Sequence, residues 1–159
     1  MKTSRKRVRY AVVGLGHIAQ VAVLPAFEHA KNSELVALIT GDGEMLMGLG
    51  ALATIGNKRP PNLAVIVFDN GVYGETGMQP SHTQNGVDLI RIAGACGIAT
   101  CVEVRDDHAL ADLAARLKNL RGTLFARVLI SADEPPRVLP LRDGAEIKSR
   151  FRAALGVKA

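Results

Sequence analysis

Tryptophan is absent from this chain, and Phe and Tyr together make up only 4% of it. With so few aromatics, the core has to be aliphatic, as in sheets whose strands are continuous Val/Ile/Leu runs. Cysteine is scarce as well. Cys96 and Cys101 are too few for a disulfide scaffold, and their spacing lacks the further ligands of a zinc site. They read as buried thiols of a reduced, cytoplasmic setting. No apolar run reaches 18 residues and no signal peptide opens the chain, so nothing points to a membrane or to export. Net charge is missing from most of the sequence too. The formal +5 comes from Lys2, Arg5, Lys6, Arg7 and Arg9, and from residue 10 onward 15 basic residues face 15 acidic ones. A basic terminus can hold nucleic acid, but no motif or interleaved aromatics accompany it, so none is expected as a partner.

What is present is regular alternation. At 159 residues with 48% apolar content, the chain suits one domain, 1–159, with a sizeable core. Strands are expected at 7–13, 34–40, 63–68, 99–104 and 123–131. Helices are expected at 17–30 (with Pro25 as a kink), 44–55, 87–95, 107–120 and 143–155, the fourth capped by Asp106 or Asp107. Gly48 and Gly50 weaken the second helix, and close helix–sheet packing is the expected reason for them. The pattern implies an α/β fold, a three-layer α/β/α arrangement around a mostly parallel sheet of about five strands.

The stretch from Gly41 to Tyr73 carries the most chemistry. A strand runs into Gly41-Asp42-Gly43-Glu44, a small-residue helix follows, and a second buried strand ends at Asp69-Asn70-Gly71. Strands of a parallel sheet share one carboxyl edge, where ligands bind. That edge would bring Asp42 and Asn70 together, a carboxylate and an amide oxygen suited to a hard cation. Free N–H groups at Gly43 and Glu44 would suit a phosphate. Two ordinary strand-to-helix turns would also carry Gly, Asp and Asn. The Gly-Asp-Gly…Asn spacing, with the sequel Tyr73-Gly74-Glu75-Thr76-Gly77, resembles thiamine-diphosphate-dependent enzymes, in particular phosphonopyruvate and sulfopyruvate decarboxylase-type chains, over about residues 41–159. The resemblance implies Mg²⁺ held by the side chains of Asp42 and Asn70 and the carbonyl of Val72. It also implies thiamine diphosphate held near Gly41, Gly43, Glu44 and Tyr73. His82 could face substrate or simply be solvated in its loop, and Glu75 could shape the pocket or only order that loop.

The beginning of the chain reads differently. A strand leads into Gly14-Leu15-Gly16-His17-Ile18-Ala19, a Gly-x-Gly-x-x-Ala turn whose glycines permit close approach to a pyrophosphate and whose Ala19 lets the helix pack on the strand. Residues 5–42, notably Tyr10 to Gln20, resemble the NAD(P)-binding unit of the glucose–fructose oxidoreductase/inositol dehydrogenase family. That likeness implies cofactor contacts at Gly14, Gly16 and Ala19. It then stops, without the Glu-Lys-Pro motif or the second domain such an oxidoreductase would need.

Taken together, the two likenesses imply a chimera, engineered by swapping one βαβ unit, with its seam at 38–42 and no selected catalytic activity. Residual affinity for a phosphate-containing small molecule or for Mg²⁺ is expected, with no catalytic residues of its own and a monomeric or homodimeric state. Two alternatives stand beside it. One is a thiamine-diphosphate-dependent 2-oxo acid decarboxylase subunit that needs a partner chain. The other is an NAD(P)-binding module, expected to bind weakly because no free acid follows the second strand.

Overall fold

The structure, a computed structural model, describes residues 7–14, 19–30, 33–133, 136 and 138–156. Its centre is β3 (Asn62–Asp69), whose Leu63 to Val67 are buried in succession. A run covered on both faces has no reason to alternate in polarity, which is why Leu-Ala-Val-Ile-Val forms a strand here. On one side β3 pairs with β2 (Ser33–Gly41), and beyond it lies β1 (Val8–Val13). A short hairpin of two-residue strands, β4 (Val72–Tyr73) and β5 (Gln79–Pro80), stands apart from the main sheet. On the other side of β3 come β7 (Gly122–Leu129) and then β6 (Thr100–Val104). The order is β1-β2-β3-β7-β6 and every neighbouring pair is parallel, so all five carboxyl ends share one edge.

Helices cover the two faces unequally. Four of them follow β1, β2 and the hairpin: α1 (Leu24–His29), α2 (Asp42–Met47), α3 (Gly50–Lys58) and α4 (Leu89–Ala95). They supply Leu24, Met45, Leu52, Leu89 and Ala93 to a core with Leu38, Val65, Val67 and Phe125. The opposite face is closed by α5 (Asp107–Lys118), whose Leu113 packs on Ala64, Ile66, Val104, Leu124 and Val128. At the β1 end of that face Arg9, Ala11 and Val13 are exposed, Val13 by 74%. A last helix, α6 (Gly144–Ala154), contributes Phe151, whose ring centroid lies 6.2 Å from that of Tyr10.

The expected layers and parallel sheet are those observed, and β1 and β2 are neighbours, with Val12 paired to Leu38. The expected seam at 38–42 covers the last residues of β2 and the first of α2, and β2 pairs with β1 as far as Ile39 and with β3 as far as Gly41. Local details differ. Pro25 does not kink a long helix. It stands where a π-helical turn at Ala19–Val23 passes directly into α1, and the wider winding of that turn accommodates a residue with no N–H to give. The expected helix at 44–55 is two helices, broken at Gly48, whose φ of −115° and ψ of 22° leave the helical region. Gly48 and Gly50 are not close-packing glycines, because a Cβ on either would meet nothing nearer than 3.7 Å. Gly56 fills that role, since a Cβ there would lie 1.8 Å from the Cys96 carbonyl oxygen, where α3 meets α4. Asp106 caps α5 by accepting from the Ala109 N–H at 2.8 Å.

Candidate functional site

The pairing of Gly41 with Phe68 brings the ends of β2 and β3 side by side, and the two loops leaving them form one cleft. It measures about 610 Å³ and is lined by Asp42, Gly43, Glu44, Asn70, Val72 and Tyr73 among others. Asp42, Asn70 and Val72, expected as metal ligands, therefore meet on one surface, as do Gly41, Gly43, Glu44 and Tyr73. Gly14 lies on the same sheet edge, at the end of β1, and its N–H donates to the Ile39 carbonyl at 2.8 Å. Ala19 sits in the π-helical turn. Neither lines the cleft, and Gly16 lies outside the described residues.

Each cleft residue is placed by local chemistry. Asp69 accepts from the Gly71 N–H at 2.9 Å and Asn70 from the Val72 N–H at 3.1 Å, so the Asp-Asn-Gly sequence closes a side-chain-stabilised turn. Gly71 adopts φ +70°, the left-handed conformation this turn requires. The Asn70 amide oxygen keeps one lone pair after that bond. Ser81 N–H donates to the Gly71 carbonyl, so Val72 and Pro80 face each other as a non-hydrogen-bonded pair and the Val72 carbonyl points away from the partner strand. The ring of Tyr73 lies so close over Gly43 that a Cβ there would approach it to 2.6 Å, so only glycine fits beneath it. Gly41 caps α2 without a side-chain bond, which leaves the first N–H groups of that helix open. Glu44 instead turns back, accepting from the Thr40 hydroxyl at 2.5 Å.

Electrostatically the cleft is one-sided. Asp42, Glu44 and Glu75 line it, and no Lys, Arg or His does among the described residues. Asp42 is only 2% exposed, yet its carboxylate meets hydroxyls rather than a cation: Ser81 Oγ donates to Oδ2 at 2.5 Å and Thr83 Oγ1 lies 3.0 Å from the same oxygen. A buried carboxylate ordinarily has an ionic partner or a metal. Asp69, equally buried, has one in Arg127, whose Nε lies 2.6 Å from Oδ2. No group of three or more His, Cys, Asp or Glu able to hold a metal occurs among the described residues. A cation here would rest on a mixed set of carboxylate, amide and carbonyl oxygens, which is hard-ion chemistry.

Ser81, Thr83 and Arg127 are the residues that sequence reasoning missed. They lie 39, 41 and 58 positions from the carboxylates they touch, and no local signal marks them. His82, between the two hydroxyls in sequence, is exposed and does not line the cleft, which favours its solvated reading. Glu75 does line it.

Residues 13–128 match the family of thiamine pyrophosphate enzymes in their C-terminal TPP binding domain. This chain belongs to that family. The match spans the expected seam. The TPP-binding domain is 34% identical over 152 residues to phosphonopyruvate decarboxylase of Streptomyces viridochromogenes, covering 91% of this chain and 36% of the relative. It is 30% identical over 128 residues to sulfopyruvate decarboxylase of Methanosarcina acetivorans, covering 80% and 33%. With sulfopyruvate decarboxylase subunit beta of Methanocaldococcus jannaschii it shares 36% identity over 100 residues, 63% of this chain and 51% of the relative. The chain spans a third to a half of the length of these relatives.

These likenesses correct the reading of the chain as an engineered chimera without activity. One family accounts for residues on both sides of 38–42, and the relatives are decarboxylases. They give no support to an oxidoreductase unit at 1–42 or to NAD(P). The physical reason is visible in the fold. A glycine with positive φ between strand and helix, here Gly14 at +80°, is a requirement of the turn itself and is common to α/β families. The acid nearest the end of β2, Asp42, lines the cleft between the ends of β2 and β3, which Gly14 does not line.

Proposed function

We propose that this chain is the diphosphate-gripping part of a thiamine-diphosphate-dependent 2-oxo acid decarboxylase that works with a partner subunit or domain. The observation that carries the reading is Asp42, a carboxylate 2% exposed on the wall of an acidic cleft with no cation partner among the described residues. Bare diphosphate would be repelled by Asp42, Glu44 and Glu75, and a divalent cation bound between them removes that conflict. The residues present fit such a group. Asp42, Asn70 and the Val72 carbonyl would hold Mg²⁺, and the N–H groups of Gly43 and Glu44 would take phosphate oxygens. Bound thiamine diphosphate supplies the electron sink for loss of carbon dioxide from a 2-oxo acid.

The chain's own residues bind, orient and shield. Tyr73 over Gly43 fixes the floor of the cleft, and Phe68, Ile130 and Met47 give it an apolar lip. In this proposal residues 1–159 act as one unit, and the NAD(P) alternative is set aside. The anionic end of the substrate finds no Lys or Arg among the described cleft residues, so its countercharge comes from the partner. The relatives that carry the words "subunit beta" support a partner of this kind. No helix among the described residues is long and apolar enough to cross a membrane.

The test is to combine the chain with candidate alpha-type subunits and follow carbon dioxide released from sulfopyruvate, phosphonopyruvate and pyruvate. Release that needs both chains and thiamine diphosphate, and that Asp42→Ala abolishes, is the expected result. Release unchanged by Asp42→Ala would overturn the assignment.

A further inference from the structure

Behind the cleft lies a chain of polar contacts that the diphosphate-binding reading does not use. Thr83 Oγ1 sits between two buried carboxylates, 3.0 Å from Asp42 Oδ2 and 2.9 Å from Asp69 Oδ1. Ser81 Oγ is 2.5 Å from the same Asp42 oxygen and 2.8 Å from Thr83 Oγ1. Behind Asp69 the chain continues through Arg127, whose second arm reaches Glu103 at 3.1 Å, and Glu103 is held in turn by Arg105 at 2.6 Å. Ser81 and Thr83 are fully or almost fully buried.

We propose that Thr83, with Ser81 beside it, is a positioning residue that decides which oxygen of Asp42 faces the cleft; this rests on the metal-diphosphate reading of that cleft. Both hydroxyls take Oδ2, and none of the described donors takes Oδ1. No fully buried side-chain oxygen is left without a partner among the described residues, so Oδ1 keeps solvent contact and, on a residue that lines the cleft, is the oxygen available there. A carboxylate gripped on one oxygen cannot swing, and the other oxygen is then presented in a fixed direction. Each hydroxyl has one proton to give. Thr83 can therefore donate to only one of its two carboxylates at a time, and Asp69 can spare it because Arg127 and the Gly71 N–H also serve Asp69. The ion pair on β7 thus frees the Thr83 proton for Asp42. The hairpin also depends on the arrangement, since Ser81 N–H donates to the Gly71 carbonyl at 2.7 Å and so ties the hydroxyls to the Asn70 turn.

The test uses Mn²⁺ as a spectroscopic stand-in for Mg²⁺. Free Mn²⁺ is followed by electron paramagnetic resonance as it is titrated into the purified protein with thiamine diphosphate present, for the wild type, Asp42→Asn, Thr83→Val, Thr83→Ser and Ser81→Ala. The expected result is Mn²⁺ affinity lowered roughly 10–100-fold in Thr83→Val, the range typical of lost partners behind a metal ligand, with Thr83→Ser within about threefold of wild type. Ser81→Ala should fall between the two. Should Thr83→Val fail to fold, as judged by circular dichroism, Thr83→Ser against Ser81→Ala decides the matter by the same criteria. Wild-type Mn²⁺ uptake that Asp42→Asn abolishes but Thr83→Val and Ser81→Ala leave intact would overturn the positioning role alone. No Mn²⁺ uptake by the wild type, or uptake indifferent to Asp42→Asn, would retire the metal site itself.

Discussion

Arg127→Met is the most informative perturbation of the fold that supports the cleft. The guanidinium is 15% exposed and the Asp69 carboxylate 2%, and the two meet at 2.6 Å. Removing the arginine leaves Asp69 with one N–H and one shared hydroxyl, at 2.9 Å each, to stabilise a charge almost cut off from water. Breaking one side of such a buried pair costs about 3–5 kcal/mol, because the partner stays charged and unsolvated. A net stability of about 5–15 kcal/mol would lose a large fraction. At roughly 2–4 °C per kcal/mol for a chain of this size, the melting temperature should fall by about 6–20 °C. Differential scanning calorimetry or urea unfolding followed by circular dichroism reads this directly. The double variant Arg127→Met with Asp69→Asn removes the stranded charge, and most of the lost stability should return. A loss under about 1 kcal/mol in the single variant, or no recovery in the double, would show that Asp69 is solvated and that the contact chain to Asp42 is not the support described above.

Other outcomes follow from the same structure. Gly43→Ala places a methyl 2.6 Å from the Tyr73 ring, so it should weaken diphosphate binding, and Tyr73→Ala in the same chain should restore part of it in a calorimetric titration. Gly56→Ala meets backbone at 1.8 Å and cannot be relieved by a side-chain rotation; it should cost about 3 kcal/mol or more on urea unfolding, at the upper end of overpacking effects. Phe125→Ala, at a fully buried position under α4, should cost about 3–5 kcal/mol in the same assay. Burial pushes the Cys101 thiol up from the ordinary cysteine range, so at pH 8 it should react with a disulfide reagent more slowly than a free thiol. The same shift makes folding stability decline as pH rises past the ordinary thiol range, because the unfolded chain ionises first.

The centre of the sheet was legible because β3 is buried on both faces: Leu63 to Val67 could hardly be anything else between two turn signals. Asp42 and Asn70 were legible because each ends such a strand, and the parallel pairing of Gly41 with Phe68 does the rest. The supporting chemistry was not. Thr83 reaches Asp69 across 14 residues and Asp42 across 41, and a threonine in a loop carries no mark of the carboxylate it will meet. The start of the chain misled for the opposite reason. Gly14, with its positive φ, obeys a steric rule that holds at any strand-to-helix turn, so a local pattern could not tell one α/β family from another. The break at Gly48 escaped because glycine lowers helix propensity without saying whether the helix bends, packs or ends.

The central claim is that Asp42 and Asn70 grip a diphosphate through a divalent cation. Isothermal titration of thiamine diphosphate into the protein, with and without Mg²⁺, tests it most directly. The account predicts binding in the presence of Mg²⁺, its loss on chelation, and its loss in Asp42→Asn with Asn70→Ala even when Mg²⁺ is abundant. Equal affinity with and without the metal, or full affinity in that double variant, would contradict it.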